Sequence, residues 1–298
     1  MKPSGHPRRD LARRLSLISR AGVEQTLRGE LGPQRPGGVY CVGFTGAPGA
    51  GKSTLISRVA GLRAAGGRKM AVIAVDPSSP HSAGALLGDR IRMDAALDAH
   101  DVFIRSLASG QATDGMADNL PAILAAVGAS GFDEVLLETV GVGQVEYGAR
   151  TLMDTAVLVL APGAGDQIQA MKAGQLETAD LLVVNKADQP GSARLAQDLR
   201  GVVEYRPRDP GAWVPRVLLV AAADAASTGA LCEAIDAHAA WRGEHVDAER
   251  LAQQRLLLHA RGLLQRRLAE VSAQLTPRER ALPLAALYEL LALRLRVP

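Results

Sequence analysis

An apolar run at residues 39–44, rich in strand formers, leads into Gly46-Ala47-Pro48-Gly49-Ala50-Gly51-Lys52-Ser53, and residues 52–65 continue with helical spacing. Strand, G-x-x-x-x-G-K-[ST], helix is the local order of a phosphate-binding loop. The glycines let the backbone turn tightly, so successive N–H groups converge on an anion. The helix start adds the positive end of its dipole. Lys52 can reach the outer phosphates of a nucleoside triphosphate, and the Ser53 hydroxyl is placed to ligate Mg2+. The bland alternative is a glycine-rich turn with no ligand. The loop names neither the base nor the purpose.

The pattern beyond the loop sets the fold class. Short apolar runs recur at 70–75, 102–104, 134–137, 156–160, 181–184 and 217–220, with amphipathic stretches at 116–128, 167–178, 192–204 and 229–240 between them. Unbroken Val/Leu/Ile runs are strands buried on both faces. Their alternation with helices predicts an α/β P-loop NTPase with a mostly parallel sheet flanked by helices. In such sheets the ligand binds beyond the carboxyl ends of the strands. We therefore expect a GTPase-type domain over 37–245, after an N-terminal helical arm over 1–36 and before a C-terminal helical region over 246–298. In the arm, Leu11, Leu15 and Leu17-Ile18 fall roughly on one face of a helix expected over 11–31. In the C-terminal region, leucines recur along helices expected at 248–274 and 284–295. A lone helical pair cannot bury so many leucines, so they must pack on the nucleotide domain or on another subunit.

Composition removes several classes. Two cysteines, Cys41 and Cys232, stand far apart, with no zinc or disulfide spacing. No apolar run approaches the ~20 residues of a membrane span, and the arginine-rich start lacks the apolar segment of a secretory signal. We expect a cytoplasmic protein that binds no membrane. The net charge of +3 is mild and aromatics make up 3% of the chain, which opposes a single-strand nucleic-acid groove.

The strand ends carry the specificity. The sixth predicted strand runs into Asn185-Lys186-Ala187-Asp188. An aspartate there can accept from the ring N–H and the exocyclic amine of guanine, a donor pair that adenine lacks. A helix-starting aspartate is the plain reading. The fourth ends in Glu138-Thr139-Val140-Gly141, with Glu138 at the position of a magnesium-binding carboxylate. Gln144 either orients the attacking water or is a plain exposed glutamine. The second ends in Asp76-Pro77-Ser78-Ser79, and Asp89 stands in the long stretch beyond it. Either aspartate is a metal-ligand candidate or a helix cap.

Taken in order, the P-loop, D-P-S-S, L-G-D-R-I-R-M, E-T-V-G-V-G-Q, P-G-A-G-D and N-K-A-D resemble the MeaB/ArgK family of GTPases associated with methylmalonyl-CoA mutase. The likeness runs from residue 8 to about 240 and includes Arg8-Arg9-Asp10-Leu11-Ala12-Arg13. It implies a homodimeric G protein that gates delivery of adenosylcobalamin to an acyl-CoA mutase and protects that enzyme. Adenosylcobalamin enters only through the partner. Carried onto this chain, the resemblance assigns Gly46, Ala47, Pro48, Gly49, Ala50, Gly51, Lys52, Ser53 and Thr54 to the phosphates of GTP or GDP. It assigns Asn185, Lys186, Asp188 and the backbone at Ala222 to guanine, and Ser53, Asp76, Asp89 and Glu138 to Mg2+. Lys52, Asp89 and Glu138 become the catalytic candidates. Ala221-Ala222-Ala223 stands where the family usually has Ser-Ala, and the C-terminal region matches poorly. A metal-insertion GTPase is one rival, although the six histidines are scattered. A small-molecule kinase and a transport ATPase are the others, and the guanine motif opposes both.

Overall fold

The computed structural model describes residues 7–29, 39–76, 101–108, 117, 119–139, 146–163 and 175–295. Among these, each predicted apolar run forms a strand: β1 (Tyr40–Thr45), β2 (Met70–Asp76), β3 (Phe103–Ala108), β4 (Glu134–Glu138), β5 (Thr155–Leu160), β6 (Leu181–Asn185) and β7 (Arg216–Val220). They make one sheet in the order β3-β2-β4-β1-β5-β6-β7, and every neighbouring pair is parallel. The helices are α1 (Pro7–Arg20), α2 (Val23–Leu27), α3 (Lys52–Ala65), α4 (Leu120–Ala129), α5 (Glu146–Leu152), α6 (Gln175–Thr178), α7 (Ser192–Tyr205), α8 (Ala225–His245), α9 (Ala248–Ala273), α10 (Pro277–Arg280) and α11 (Leu284–Leu295).

The inner strands are largely apolar because alternate residues feed two different cores. Val42 and Phe44 of β1 and Leu136 of β4 pack with Leu55, Ile56 and Val59 of α3 and with Leu231 and Ile235 of α8. Cys41, Val135 and Leu137 point the other way and pack with Leu120, Ile123 and Val127 of α4. Farther along that second face, Leu195, Ala196 and Leu199 of α7 cover Leu158, Leu182 and Val184. Leu11, Leu15 and Ile18 of α1 join the α4 cluster, whereas Leu17 faces solvent, contrary to the expected apolar face.

Two expectations about helix extent need correction. The arm does not hold one helix over 11–31, because α1 stops at Arg20 and Gly22 adopts an extended conformation before α2. The stop is enforced from outside: the Asn119 amide donates to the carbonyls of Ile18 (2.8 Å) and Ala21 (3.1 Å), and Arg266 donates to Ala21 (2.8 Å). The helix expected at 116–128 begins only at Leu120, after Asn119 in the left-handed conformation. Of the helix expected at 167–178, the described part is the four-residue α6. Helix α5, which no sequence pattern announced, lies in the chain connection from β4 to β5. In the C-terminal region α9 packs on α5 and α2, and α11 packs on α9.

Candidate functional site

Strand β1 lies inside the sheet, with β4 on one flank and β5 on the other. The chain runs from β1 out to β2 and β3 on one side and from β5 out to β6 and β7 on the other, so the strand order reverses beside β1, and ligands in such sheets bind beyond the carboxyl ends at that point. The loop from Gly46 to Gly51 occupies that position, and α3 starts at Lys52. Two glycines are required by contact. A Cβ on Gly46 would lie 2.1 Å from the carbonyl oxygen of Val159 in β5, and one on Gly51 would lie 2.5 Å from the amide of Asn185. Gly51 is also left-handed (φ 86°), which places the first turn of α3 with its unbonded N–H ends toward the loop.

The charged and hydroxyl groups then converge. Lys52 Nζ donates to the carbonyls of Gly46 (2.8 Å) and Ala47 (3.2 Å), so the ammonium arches over the loop. Ser53 Oγ donates to Glu138 Oε1 at 2.8 Å. Register explains that meeting, since Glu138 pairs with Phe44 at the end of β1 and Thr139 N–H continues the pairing to the Phe44 carbonyl. A hydroxyl and a carboxylate at this distance are hard oxygen donors of the kind Mg2+ takes, one or two from protein with the rest from water and phosphate. Among the described residues no group of three His, Cys, Asp or Glu forms a metal cluster. The pair therefore suits a phosphate-bound Mg2+ and gives no support to an all-protein metal site. Asp76 closes β2 on the same edge of the sheet, where its backbone pairs with Ala108. Asp89 and Gln144 lie outside the described residues.

The guanine motif is tied to the phosphate loop. Asn185 ends β6 and is buried; its amide donates to the Ala50 carbonyl at 2.8 Å. Its Oδ1 is buried with no hydrogen-bond partner among the described residues. Lys186 adopts a left-handed conformation (φ 56°), uncommon for a residue with a side chain. That turn lets its Nζ reach the Gly49 carbonyl at 3.0 Å. The Ala187 N–H donates to the Val220 carbonyl, and Ser192 Oγ donates to the Ala187 carbonyl, so the motif is held from both sides. Asp188 is exposed at the rim. Ala222 sits in the turn after β7, closed by Asp224 N–H to the Ala221 carbonyl (2.8 Å). Ser227 Oγ lies 3.2 Å from the Ala221 N–H and accepts from it. That hydroxyl orders the turn in a segment with no serine of its own, and its position in the first turn of α8 was the available signal.

Sequence reasoning also missed a polar network at the opposite ends of the strands. Arg150 of α5 grips both oxygens of Asp180 (3.0 and 2.9 Å). Asp154 accepts from Arg255 (2.8 Å) and from the Cys41 N–H (2.8 Å), with Arg242 3.1 Å away. His238 is buried, meets Thr155 Oγ1 at 2.7 Å and lies 3.5 Å from Asp180. Burial holds its imidazole below the ordinary pKa. Tyr40, bonded to the same Thr155, is pushed up to about 12, chiefly by burial.

A sequence profile described as "Methylmalonyl Co-A mutase-associated GTPase MeaB" matches residues 19–275. A protein of Pyrococcus abyssi, named as a GTPase, is 47% identical over 156 residues, 52% of this chain and 48% of that one. Another so named, from Caulobacter vibrioides, is 41% identical over 215 residues, 70% of this chain and 66% of the relative. The chain thus spans about half of the first relative and just under two thirds of the second. The crystal structure described as LAO/AO transport system kinase superposes with a TM-score of 0.61 at 23% identity, covering 98% of each chain, which is a likeness of fold. With the profile covering most of its length, the chain belongs to the MeaB family of methylmalonyl-CoA mutase-associated GTPases.

Proposed function

We propose that this protein is a Mg2+-dependent GTP hydrolase that serves as a G-protein chaperone for an adenosylcobalamin-dependent acyl-CoA mutase of the methylmalonyl-CoA mutase type. The observation that carries the hydrolase reading is the junction of two motifs. Ser53 and Glu138 meet at 2.8 Å beneath the loop that Asn185 and Lys186 hold by its Ala50 and Gly49 carbonyls. In this reading phosphate, metal and base recognition share one edge of the sheet.

In this proposal the loop N–H groups and Lys52 bind the phosphates, with Lys52 leaving the Gly46 and Ala47 carbonyls for the outer phosphate oxygens. Ser53 and Glu138 hold Mg2+, with Asp76 and Asp89 as further candidates. Bound Mg2+ would neutralise charge developing on the phosphates. Asp188 accepts from the two guanine donors, Asn185 steadies the base against the loop, and the backbone at Ala222 closes the pocket. Water attacks the γ-phosphate in line, and catalysis consists of positioning and charge stabilisation. The γ-phosphate biases segments that the mutase reads. Adenosylcobalamin belongs to that partner. A homodimer and a cytoplasmic location complete the proposal. The mutase association in the family description supports the partner, and the leucines exposed on α9 and α11 support a second copy.

The test is phosphate release from GTP with and without a purified acyl-CoA mutase, with ATP as control. Stimulation of GTP turnover by the mutase supports the whole reading. GTP turnover that no such mutase alters removes the chaperone half.

A further inference from the structure

Helix α5 is short, yet it is fastened more heavily than any catalytic need explains. At its C-terminal end the last carbonyls have no partner within the helix. Arg255, which projects from α9 a hundred residues downstream, satisfies them. Its Nε donates to the Thr151 carbonyl (3.0 Å), and its Nη2 donates to the Leu152 carbonyl (3.2 Å) and to Asp154 Oδ1 (2.8 Å). The guanidinium is itself buried. The other oxygen of Asp154 accepts from the Cys41 N–H at the start of β1, the strand that carries the phosphate loop. Next to it, Met153 packs on the same strand so closely that a Cβ on Gly43 would lie 2.0 Å from its sulfur. On its other side α5 is tied by Arg150 to the Thr178 carbonyl (2.9 Å) and to Asp180, immediately before β6, the strand whose far end carries the guanine motif.

The end of α5 is thereby braced on β1 at two points, through Asp154 at Cys41 and through Met153 at Gly43, and β1 carries the phosphate loop at its other end. We propose that Arg255 is a positioning residue for GTP turnover, supplied by the C-terminal helical region, that holds the end of α5 and Asp154 and through them β1, the strand that carries the phosphate loop. The proposal rests on the GTPase reading above. It gives α9 a part in the nucleotide chemistry, and it makes α9 a route by which anything bound to the C-terminal helices could alter turnover.

Arg255→Lys tests it in the full chain. Lysine keeps the charge facing Asp154 but cannot span three acceptors as the planar fork does. Arg266→Lys is the control, because Arg266 clamps the same helix to Asn119 and the Ala21 carbonyl, away from α5. We expect Arg255→Lys to lower kcat for GTP about tenfold with KM and GDP affinity within about twofold, the mark of lost positioning. Amide exchange should speed up in α5 and not in α7, and Arg266→Lys should keep the wild-type kcat. An unchanged kcat in Arg255→Lys and Arg255→Ala, in an active wild-type background, overturns the proposal alone. A parallel fall of kcat and GDP affinity in Arg255→Lys, or an equal fall of kcat in Arg266→Lys, overturns it as well, since that is general loosening. A wild type that does not hydrolyse GTP overturns the GTPase reading and this proposal together.

Discussion

The sheet and the C-terminal helices treat leucine in opposite ways. In β4, β5 and β6 the leucines are sealed between two helical layers. On α9 and α11 they remain open: Leu264 is 63% exposed and Leu284 is 84% exposed, and α11 buries none of its residues. Among the described residues, the strand leucines of the nucleotide half are thus covered by the same chain. The C-terminal region anchors itself through Arg255, Leu258, Leu263, Val271 and Leu275, and leaves Leu256, Leu257, Leu264, Leu268, Leu284 and Leu293 exposed. So many exposed leucines on two packed helices suit an interface. The two halves therefore answer to different constraints. One is fixed by its ligand and its core, and the other by a surface the single chain does not cover, which we attribute to the proposed second copy.

The sharpest way to break the nucleotide half is Lys52→Ala. Phosphate release from GTP should fall by about a thousandfold, as befits a lost charge on the transferring group, while the thermal midpoint stays near that of the wild type. Asp188→Asn comes next. It exchanges a two-bond acceptor for a side chain that must present a donor, so GTP should bind about a hundredfold more weakly, two charged hydrogen bonds' worth. Xanthine nucleotides should gain correspondingly, measured by competition with a fluorescent GDP. Gly43→Ala attacks the join between the sheet and α5. With Met153 sulfur 2.0 Å from the new Cβ, overpacking should cost about 1–3 kcal/mol in urea unfolding.

A smaller effect separates the halves by pH. His238 is held neutral by burial, so its folded pKa lies below the ordinary value of 6.5. A histidine with a depressed folded pKa leaves stability whole above the unfolded value and takes it away as pH falls below it. The urea midpoint should therefore drop between pH 7.5 and pH 5.5, and His238→Gln should flatten that drop. The smallest effect on the nucleotide half is expected from Leu264→Asp with Leu268→Asp. GDP affinity should be unchanged and single-chain stability should move by no more than about 0.5 kcal/mol, while sedimentation should report loss of the dimer.

The same contrast explains what could be read from residue order. The inner strands announced themselves as apolar runs, because two-sided burial leaves that mark at every position, whereas β3 at the edge was legible only at its start, where Phe103 and Ile104 precede Arg105 and Ser106. Ser53 with Glu138, and Asn185 with the phosphate loop, were accessible because a parallel sheet gathers its strand ends on one edge. The network around α5 was not. Arg255 and Asp154 lie 101 residues apart and Arg150 and Asp180 lie 30 apart, and neither pair has a local pattern. The break between α1 and α2 is likewise imposed by Asn119 and Arg266, far along the chain. Leu17 looked like part of a buried face because helical spacing tolerates a wider stripe than α4 and β3 cover.

One strand-end edge, in this reading, recognises both guanine and a magnesium-bound triphosphate. The most direct measurement is the initial rate of phosphate release from GTP and from ATP, each with Mg2+ and with a chelator. The predicted result is release from GTP alone and only with Mg2+. Equal rates with ATP would contradict the role given to Asp188, and undiminished release under chelation would contradict the role given to Ser53 and Glu138.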